Sequence, residues 1–155
     1  NVDDVKKTLK GQDAVIVTLG TRNNLGPTTD MSEGLKNIVT VMKELNISVI
    51  AICLSSFLFW EPSKVPPMFH EINNEHKRMD AIIKDSNLNW IAVYPPHISS
   101  DEPSGYTIKW GEATSRRVVS KYDLARFFVD CLVEQDHYKK VVGISSVFAD
   151  SSMDS

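Results

Sequence analysis

Polar side chains that can hold or polarise a ligand follow three apolar runs of this sequence, at the point where each run ends. Gly20-Thr-Arg22 comes after the first run, Ser55-Ser56 after the second, and Pro95-Pro-His97 after the third. A hydroxyl or an imidazole can orient and polarise a reacting group, and a guanidinium can hold a phosphate or stack on a flat ring. These residue types suit the binding of a nucleotide or a flat organic substrate.

The apolar runs themselves have the composition of buried β-strands. They are residues 13–19, 48–53 and 89–94, and residues 28–45 and 69–86 between them carry apolar side chains at helical spacing. The first run is apolar on both faces, which is typical of a strand in a parallel sheet covered by helices. Strand, helix and strand in this order predict right-handed crossovers and parallel strands that end at one edge. We therefore predict that Arg22, Ser55 and His97 share a cleft there.

The other segments complete an α/β pattern of one domain, residues 1–149. Predicted elements are a helix at 2–10 ended by Gly11, a half-buried edge strand at 106–110, a helix at 120–134 opened by Ser120 and Asp123, a strand at 140–145 and a loose tail at 150–155. Asp30 and Glu33 have the spacing of a helix-capping pair. Three prolines between residues 62 and 67 predict a loop with no regular element.

Several side chains near the predicted cleft have two interpretations each. His76 occupies the inward phase of the helix at 69–86, so it is either a core histidine bonded to a carbonyl or a second imidazole beside His97. Phe57, Trp60 and Phe69 either anchor the proline-rich loop or form an apolar wall for a flat, conjugated substrate.

Composition narrows the class of protein. The chain has 155 residues, 42% hydrophobic content and a net charge of −3, with no cluster of basic residues, so we expect no nucleic-acid partner. No uncharged apolar run approaches the roughly 18 residues that span a bilayer, so we expect no membrane partner. Cys53 and Cys131 lie in apolar runs, which favours two buried thiols over a disulfide and a reducing compartment. A cytoplasmic location is the expectation.

Several other chemistries lack their motifs. The histidines at positions 70, 76, 97 and 137 show no metal-ligand spacing, and neither cysteine has a CxxC neighbour, so no metal is expected. A GxSxG elbow, a Walker lysine loop and a paired-carboxylate signature are missing. Tyr106 and Lys109 are only three residues apart on a predicted strand, so the Tyr-xxx-Lys pair of typical short-chain dehydrogenases is missing too.

Five strings in fixed order identify a family that the chain resembles. They are Gly11-Gln-Asp-Ala-Val-Ile-Val17, Leu19-Gly-Thr-Arg-Asn23, Pro27-Thr-Thr29 with Met31-Ser-Glu-Gly34, Val65-Pro-Pro67 and Tyr94-Pro-Pro-His-Ile98. From about residue 8 to about residue 132 the chain resembles the NADPH-dependent flavin reductases, also called biliverdin-IXβ reductases. This family consists of atypical relatives of the short-chain dehydrogenases.

The resemblance implies a monomeric enzyme with a Rossmann-like, doubly wound, mainly parallel sheet that moves hydride from NADPH to a flavin or a linear tetrapyrrole. By position, the cofactor-binding residues are Leu19, Gly20, Arg22, Cys53, Pro95, His97 and Ile98. The matched active-site residues are Ser55, His76 and His97, and the substrate wall consists of Phe57, Trp60 and Phe69. Because the cofactor carries the chemistry, Ser55 and His97 would orient and polarise rather than act as strong acids.

The chain also departs from that family. The family opens with a strand, a glycine-rich turn and a helix that hold the pyrophosphate, and residues 1–155 contain none of these, so we expect a fold truncated at its N-terminus and weak NADPH binding by these residues alone. Leu54 stands where the family has a hydroxyl residue. The alternative is an NADP-binding sensor or regulatory protein without catalysis, which the missing Tyr-xxx-Lys pair motivates.

Overall fold

The computed structural model describes residues 1–148, so the tail predicted at 150–155 lies outside the described residues. Its α-helices are α1 (Val2–Leu9), α2 (Asp30–Glu44), α3 (His70–Asp85) and α4 (Lys121–Asp130). The strands are β1 (Ala14–Val17), β2 (Val49–Cys53), β3 (Asn89–Tyr94), β4 (His97–Ser99), β5 (Tyr106–Trp110), β6 (Val118–Ser120) and β7 (Lys140–Ser146). No helix within this part of the chain is both long enough and apolar enough to cross a bilayer.

The main sheet has five strands in the order β1-β2-β3-β7-β5. Strands β1, β2, β3 and β7 are parallel, with Val17 paired to Ile52 and Cys53 paired to Val93. Strand β5 is antiparallel to β7 and forms one end of the sheet. The predicted α/β fold with a mainly parallel sheet is confirmed, and the three predicted strand ends lie along one edge.

Helices cover both faces of this sheet. The evidence is that alternate side chains of β3 belong to two separate cores. Trp90 and Ala92 belong to the core formed with α2 and α3, which includes Leu35 and Met79. The neighbouring β3 residues Ile91 and Val93 belong to the core formed with α4, which includes Phe127, Phe128 and Ile144. Burial on both faces explains why β3 reads as a continuous apolar run.

Strand β1 is shorter and more exposed than its sequence predicts. The prediction of burial on both faces is wrong, because Ile16 is 39% exposed while Val15 and Val17 are buried. Strand β1 is the other end strand of the described sheet, and the face that Ile16 occupies is incompletely covered. A run of β-branched residues predicts a strand but does not by itself show whether one or both faces of that strand are buried.

Helix caps agree with the sequence at two positions and differ at a third. Gly11 follows α1 with φ of +80°, and the Ser120 Oγ accepts the Tyr122 N–H as the predicted cap of α4. The capping pair of Asp30 and Glu33 is wrong, because Asp30 is the first helical residue and its N–H is bound by the Thr28 hydroxyl. Glu33 instead pairs with a lysine one turn on.

Short elements account for most of the other differences. The loop at 54–67 contains 3₁₀ turns at Ser56–Phe59 and Pro62–Lys64, so the prediction that prolines exclude regular structure there is wrong. The helix predicted to run to 134 ends at Asp130 and continues as a 3₁₀ turn. Strands β4 and β6 were not predicted, and they pair in parallel as a separate two-stranded sheet. Cys53 and Cys131 are free thiols and not a disulfide, as predicted, but only Cys131 is buried and Cys53 is half-buried.

Asp123 connects α4 to the last strand and to the loop before β5. Its buried carboxylate accepts the N–H groups of Ser104 and Gly105 and the hydroxyl of Ser146, the last at 2.5 Å. The Ser146 Oγ in turn accepts the N–H of Ser120 at 2.8 Å. The acidic residue that the sequence assigns to helix capping therefore stabilises a long-range contact.

Candidate active site

The ends of β2 and β3 are held together beyond the strands themselves. The Leu54 N–H donates to the Val93 carbonyl at 2.8 Å, and the Ser56 N–H donates to the Pro95 carbonyl at 3.0 Å. These bonds extend the pairing past the last residue of each strand. The serine pair of the second strand end therefore lies directly beside the proline pair that leads to His97.

A cavity of about 450 Å³ opens at this edge, a volume in the usual range for sites that bind small molecules. Three parts of the chain line it. They are the turn and strand end that contribute Ser56, Phe57, Trp60, Tyr94, Pro96 and His97, the segment of residues 113–117, and Gly143 and Ile144 of β7. The structure thus brings together three of the predicted site residues, Phe57, Trp60 and His97.

Phe57 and Trp60 form one wall of this cavity, and Phe69, which does not line the cavity, packs against Phe57. We call these three residues the aromatic wall. The Phe57 and Trp60 ring centroids are 5.0 Å apart in an edge-to-face arrangement, and the Phe57 and Phe69 centroids are 5.2 Å apart. Trp60 is 42% exposed, so a large part of its ring remains free to contact a ligand. The wall offers apolar surface at low conformational cost, which suits a flat substrate.

Ser55 begins the 3₁₀ turn that carries Phe57. Its Oγ accepts the Phe57 N–H at 3.2 Å, so the hydroxyl oxygen caps the turn and the hydroxyl proton is left to donate elsewhere. Ser55 is half-buried and adjoins Ser56, which lines the cavity. The position of this hydroxyl is therefore fixed by the same backbone that positions the aromatic wall.

Tyr94 is the tyrosine that lines the cavity, and it is not a replacement for the missing acid of the short-chain dehydrogenases. Its hydroxyl donates to the Asp80 carboxylate, which also pairs with Lys84 at 2.7 Å. Burial, followed by the contact with Asp80, holds the pKa of Tyr94 far above its ordinary value. Its ring packs against Phe59 at 4.8 Å, so Tyr94 supports the turn that follows Ser55.

The end of β1 forms a neighbouring site rather than part of the same cavity. Gly20 and Thr21 line a smaller pocket of about 190 Å³ with the start of α2. The Thr21 hydroxyl donates to the Asn24 carbonyl at 2.6 Å, and this turn holds Arg22 at a φ of +56°. A non-glycine residue in the left-handed region is uncommon, and Asn23 beside it has the same conformation, at a φ of +59°. Arg22 is exposed and does not line the larger cavity.

The other residues assigned to the cofactor lie along the same edge in different surroundings. Cys53 is the last residue of β2, and burial raises the pKa of its thiol to about 11, so it presents a neutral group. Pro95 is buried, whereas Ile98 is largely exposed on β4. Leu19 is also exposed, next to an apolar cleft between β1 and α1.

His76 is half-buried on α3, as its helical phase predicts, but it does not line the cavity that contains His97. Burial lowers the pKa of His76, and the neighbouring Glu75 carboxylate only partly opposes this. Glu75 itself is fully buried and accepts the Ser32 N–H at 3.1 Å and the Arg78 Nε at 2.8 Å. Burial alone would raise the pKa of Glu75, but these hydrogen bonds outweigh it and the pKa is lowered.

These two shifts predict how stability depends on pH. His76 binds a proton more readily in the unfolded chain, so the free energy of unfolding should fall as pH drops below the ordinary histidine value of 6.5. A second fall should begin near the ordinary glutamate value of 4.5, because Glu75 must be protonated against its hydrogen bonds. Urea unfolding from pH 8 to about pH 3.5 measures both, and His76→Gln should remove only the upper fall. An upper fall that persists in His76→Gln would contradict the assignment.

Two arginines at the cavity were not identified from the sequence. Arg116 and Arg117 belong to the segment 113–117, and the Thr114 hydroxyl donates to the Arg116 carbonyl at 3.2 Å. The sequence feature that could have indicated them is a pair of arginines directly before the apolar residues Val118 and Val119. That signal is weak, because most paired arginines on a surface loop are simply solvated. Within residues 1–148, no group of three or more His, Cys, Asp or Glu side chains is placed to hold a metal ion.

The match to a protein family agrees with this geometry. Residues 1–135 match the profile of the NAD(P)H-binding family, which is most of the chain. The chain belongs to the NAD(P)H-binding family. Members bind a nicotinamide cofactor, so the edge formed by the ends of β1, β2 and β3 is the expected place for it in a Rossmann-like sheet. The match does not distinguish NADPH from NADH.

Solved structures share the fold at low sequence identity. A Rossmann-fold NAD(P)-binding family protein from Shigella flexneri is 18% identical with a TM-score of 0.73, over 97% of this chain and 68% of that one. The oxidoreductase ylbE from Lactococcus lactis is 14% identical with a TM-score of 0.75, over 94% and 67%. A short-chain dehydrogenase/reductase from Veillonella parvula, solved in complex with NADP, is 14% identical with a TM-score of 0.69, over 95% and 69%.

Proposed function

We propose that this protein is an NADPH-dependent reductase that transfers hydride to a flat conjugated acceptor, a flavin or a linear tetrapyrrole. The observation that carries the proposal is the cavity of about 450 Å³ in which an aromatic wall and His97 lie at the edge expected to hold the nicotinamide. The resemblance of residues 8–132 to the flavin reductases supports the same acceptors. The structure of the Veillonella parvula protein with NADP supports the choice of the phosphorylated cofactor.

The residues at the strand ends fit such a cofactor. No atom lies within 4 Å of the position that a Cβ would occupy at Gly20, so a ligand can approach the backbone closely there. The exposed Arg22 guanidinium on its constrained turn can hold a phosphate. Leu19, Gly20, Arg22, Cys53, Pro95, His97 and Ile98 are the residues that would hold NADPH, which supplies the hydride when bound.

The remaining task of this chain is to orient the acceptor and to polarise it. The aromatic wall would hold the flat acceptor, which places reacting atoms at contact distance without further conformational cost. Ser55 can donate its hydroxyl proton, and His97 lines the cavity with an exposed imidazole. His76 would contribute indirectly, because it lies on α3 outside the cavity. The tightly bonded Tyr94 hydroxyl would remain a support for the turn.

Turnover by the full-length protein tests the proposal. We expect the protein to oxidise NADPH in the presence of FMN, riboflavin or biliverdin, and the loss of the absorbance of the reduced nicotinamide measures this oxidation. Ser55→Ala and His97→Ala should each lower kcat/KM about tenfold or more, which is the effect of removing one polarising hydrogen bond. Ser63→Ala, in an exposed 3₁₀ turn, and His70→Gln, at the exposed start of α3, lie outside the cavity and are controls that should retain activity. Absence of turnover with every flavin and tetrapyrrole would exclude the proposed activity.

The alternative function, an NADP-binding sensor, gives a different result in the same experiments. It predicts NADP binding by calorimetry with no oxidation of NADPH by any acceptor. Flavin reduction that is impaired by Ser55→Ala or His97→Ala would exclude the sensor.

Arg117, in the segment 113–117 that lines the cavity, predicts a preference for acceptors with acidic substituents. Arg117 lines the cavity and is exposed, so its guanidinium can pair with a phosphate or carboxylate at the mouth. Arg117→Ala should raise the KM for FMN about tenfold and leave the KM for riboflavin, which has no phosphate, nearly unchanged. Arg126→Ala, an exposed arginine on α4, is the control. Equal effects on both flavins would exclude a charge-specific role for Arg117.

A further inference from the structure

We propose that Gly143 is a positioning residue that sets the width of the acceptor cavity, because it is the point on which the second wall of that cavity rests. We call residues 113–117 the loop wall. The identity of the acceptor rests on the function proposed above, whereas the contact between Gly143 and the loop wall rests on the structure alone.

Gly143 is in close contact with backbone atoms of the loop. It is a buried residue in the middle of β7, paired with Tyr94 on one side and with Lys109 on the other. A Cβ at this position would lie 2.2 Å from the carbonyl oxygen of Glu112 and 3.1 Å from the Cα of Ala113. Atoms of the main chain cannot rotate away as the end of a side chain can, so the loop must move if a side chain is present.

This contact is unusual among the glycines of the chain. Gly34 in α2 has its nearest atom 3.9 Å from the position of a Cβ, and Gly20 has none within 4 Å. Gly26, Gly105, Gly11 and Gly111 also meet no backbone atom closer than 3.0 Å. Space for the backbone of another segment is therefore the specific reason for a glycine at position 143.

The loop wall is fixed at both of its ends, so it cannot relieve such a contact by sliding along the sheet. Two residues before it, the Gly111 N–H donates to the Val141 carbonyl at 2.8 Å, on a backbone with φ of +75°. At its end, Val118 pairs with His97 as the first residue of β6. The segment between these two anchors is the part that lines the cavity.

A methyl group at position 143 is therefore expected to displace the loop wall from β7 and to alter its distance from Phe57 and Trp60. Binding of a flat acceptor between two surfaces depends on contact with both, so a displacement of about 1 Å is enough to weaken it substantially. Leu19, Gly20, Arg22 and Cys53, which are assigned to the cofactor, do not line the cavity that this loop borders. The effect should therefore fall on the acceptor and spare the cofactor.

The KM values for the two substrates separate this role from general destabilisation. In the full-length protein, Gly143→Ala should raise the KM for FMN about tenfold while the KM for NADPH stays within about twofold of the wild type. Gly34→Ala adds the same methyl group in ordinary contact with Leu19, away from the acceptor cavity, and should leave the KM for FMN unchanged. An unchanged KM for FMN, or a parallel rise in both KM values, would overturn the proposal.

Hydrogen exchange gives a readout that does not require activity. The amides of residues 112–116 should exchange about tenfold faster in Gly143→Ala than in the wild type, and those of β1 should not. If the wild type reduces no acceptor, the proposed function fails, and unchanged exchange at residues 112–116 would separately overturn the role of Gly143.

If Gly143→Ala does not fold, the double variant Glu112→Gly with Ala113→Gly loosens the same wall. An FMN affinity within twofold of the wild type in that variant would also overturn the proposal.

Discussion

Replacement of Glu75 by alanine is expected to lower the free energy of unfolding by about 2 to 3 kcal/mol. The Glu75 carboxylate is fully buried between α2 and α3, where it accepts the Ser32 N–H and the Arg78 Nε. Arg78 also donates to the Thr28 carbonyl at 2.9 Å, so the three groups connect the start of α2 to α3. Alanine would leave the Ser32 N–H without its buried acceptor and would add a cavity. Urea unfolding at pH 7 measures the change.

A matched pair on the neighbouring helix provides the control. Glu33 and Lys36 have the same i,i+3 spacing as Glu75 and Arg78, but both of their side chains are largely exposed. Glu33→Ala should change the free energy of unfolding by less than about 0.5 kcal/mol, because exposed ion pairs contribute little. Equal losses in Glu33→Ala and Glu75→Ala would contradict the view that burial gives Glu75 its importance.

Asp123→Ala is expected to lower the free energy of unfolding by about 3 kcal/mol. The buried carboxylate accepts hydrogen bonds from the N–H groups of Ser104 and Gly105 and from the Ser146 hydroxyl. Alanine would leave the buried Ser146 hydroxyl without its acceptor, and the N–H groups of half-buried Ser104 and exposed Gly105 would lose theirs to water. The β6–β7 contact should loosen as well, since the Ser146 Oγ is also the acceptor for the Ser120 N–H. Thermal and urea unfolding both report this loss.

The isosteric variant Asp123→Asn distinguishes hydrogen bonding from packing. Its amide oxygen can still accept the two backbone N–H groups, so the loss should be about 1 kcal/mol. Asp136→Ala, at an exposed acidic position, should be neutral within about 0.5 kcal/mol. An equal loss in Asp123→Asn and Asp123→Ala would contradict the view that a side-chain oxygen accepting the two backbone N–H groups is what stabilises the fold here.

Stability and the proposed activity depend on different contacts in this molecule. Glu75 and Asp123 join helices and strands away from the acceptor cavity, whereas Tyr94 and Gly143 support its walls directly. Variants of the first pair should therefore lower the unfolding temperature with little change in substrate preference. Variants of the second pair should change how the acceptor is held.

Local patterns were sufficient to predict the parallel part of the sheet. The apolar runs ending at Cys53 and Tyr94 are strands because every position at 49–53 and 90–94 is apolar, and a helical segment of suitable length separates them. This prediction succeeded because burial on both faces of a strand leaves a continuous apolar signal in the sequence. The same signal misled at β1, where Ile16 is apolar but exposed at the end of the described sheet.

The site was only partly predictable for a related reason. The positions of His97, Phe57 and Trp60 follow from the strand ends and from the turn beside them, so their convergence in one cavity could be expected. Strands β4 and β6 are three residues each, too short to show any periodicity. The cavity wall that lies between β5 and β6 was missed together with β6.

By itself, the sequence determined the order of strands and helices and the chemical groups at the strand ends, because those depend on residues near one another in the chain. Only the tertiary structure decided which groups share a cavity. It placed Arg22 in a neighbouring turn, His76 on a helix outside the cavity, and the segment with Arg117 against Gly143. The cavity depends on contacts between segments far apart in the chain, such as that of Gly143 with the Glu112 backbone, and a linear pattern carries no record of such contacts.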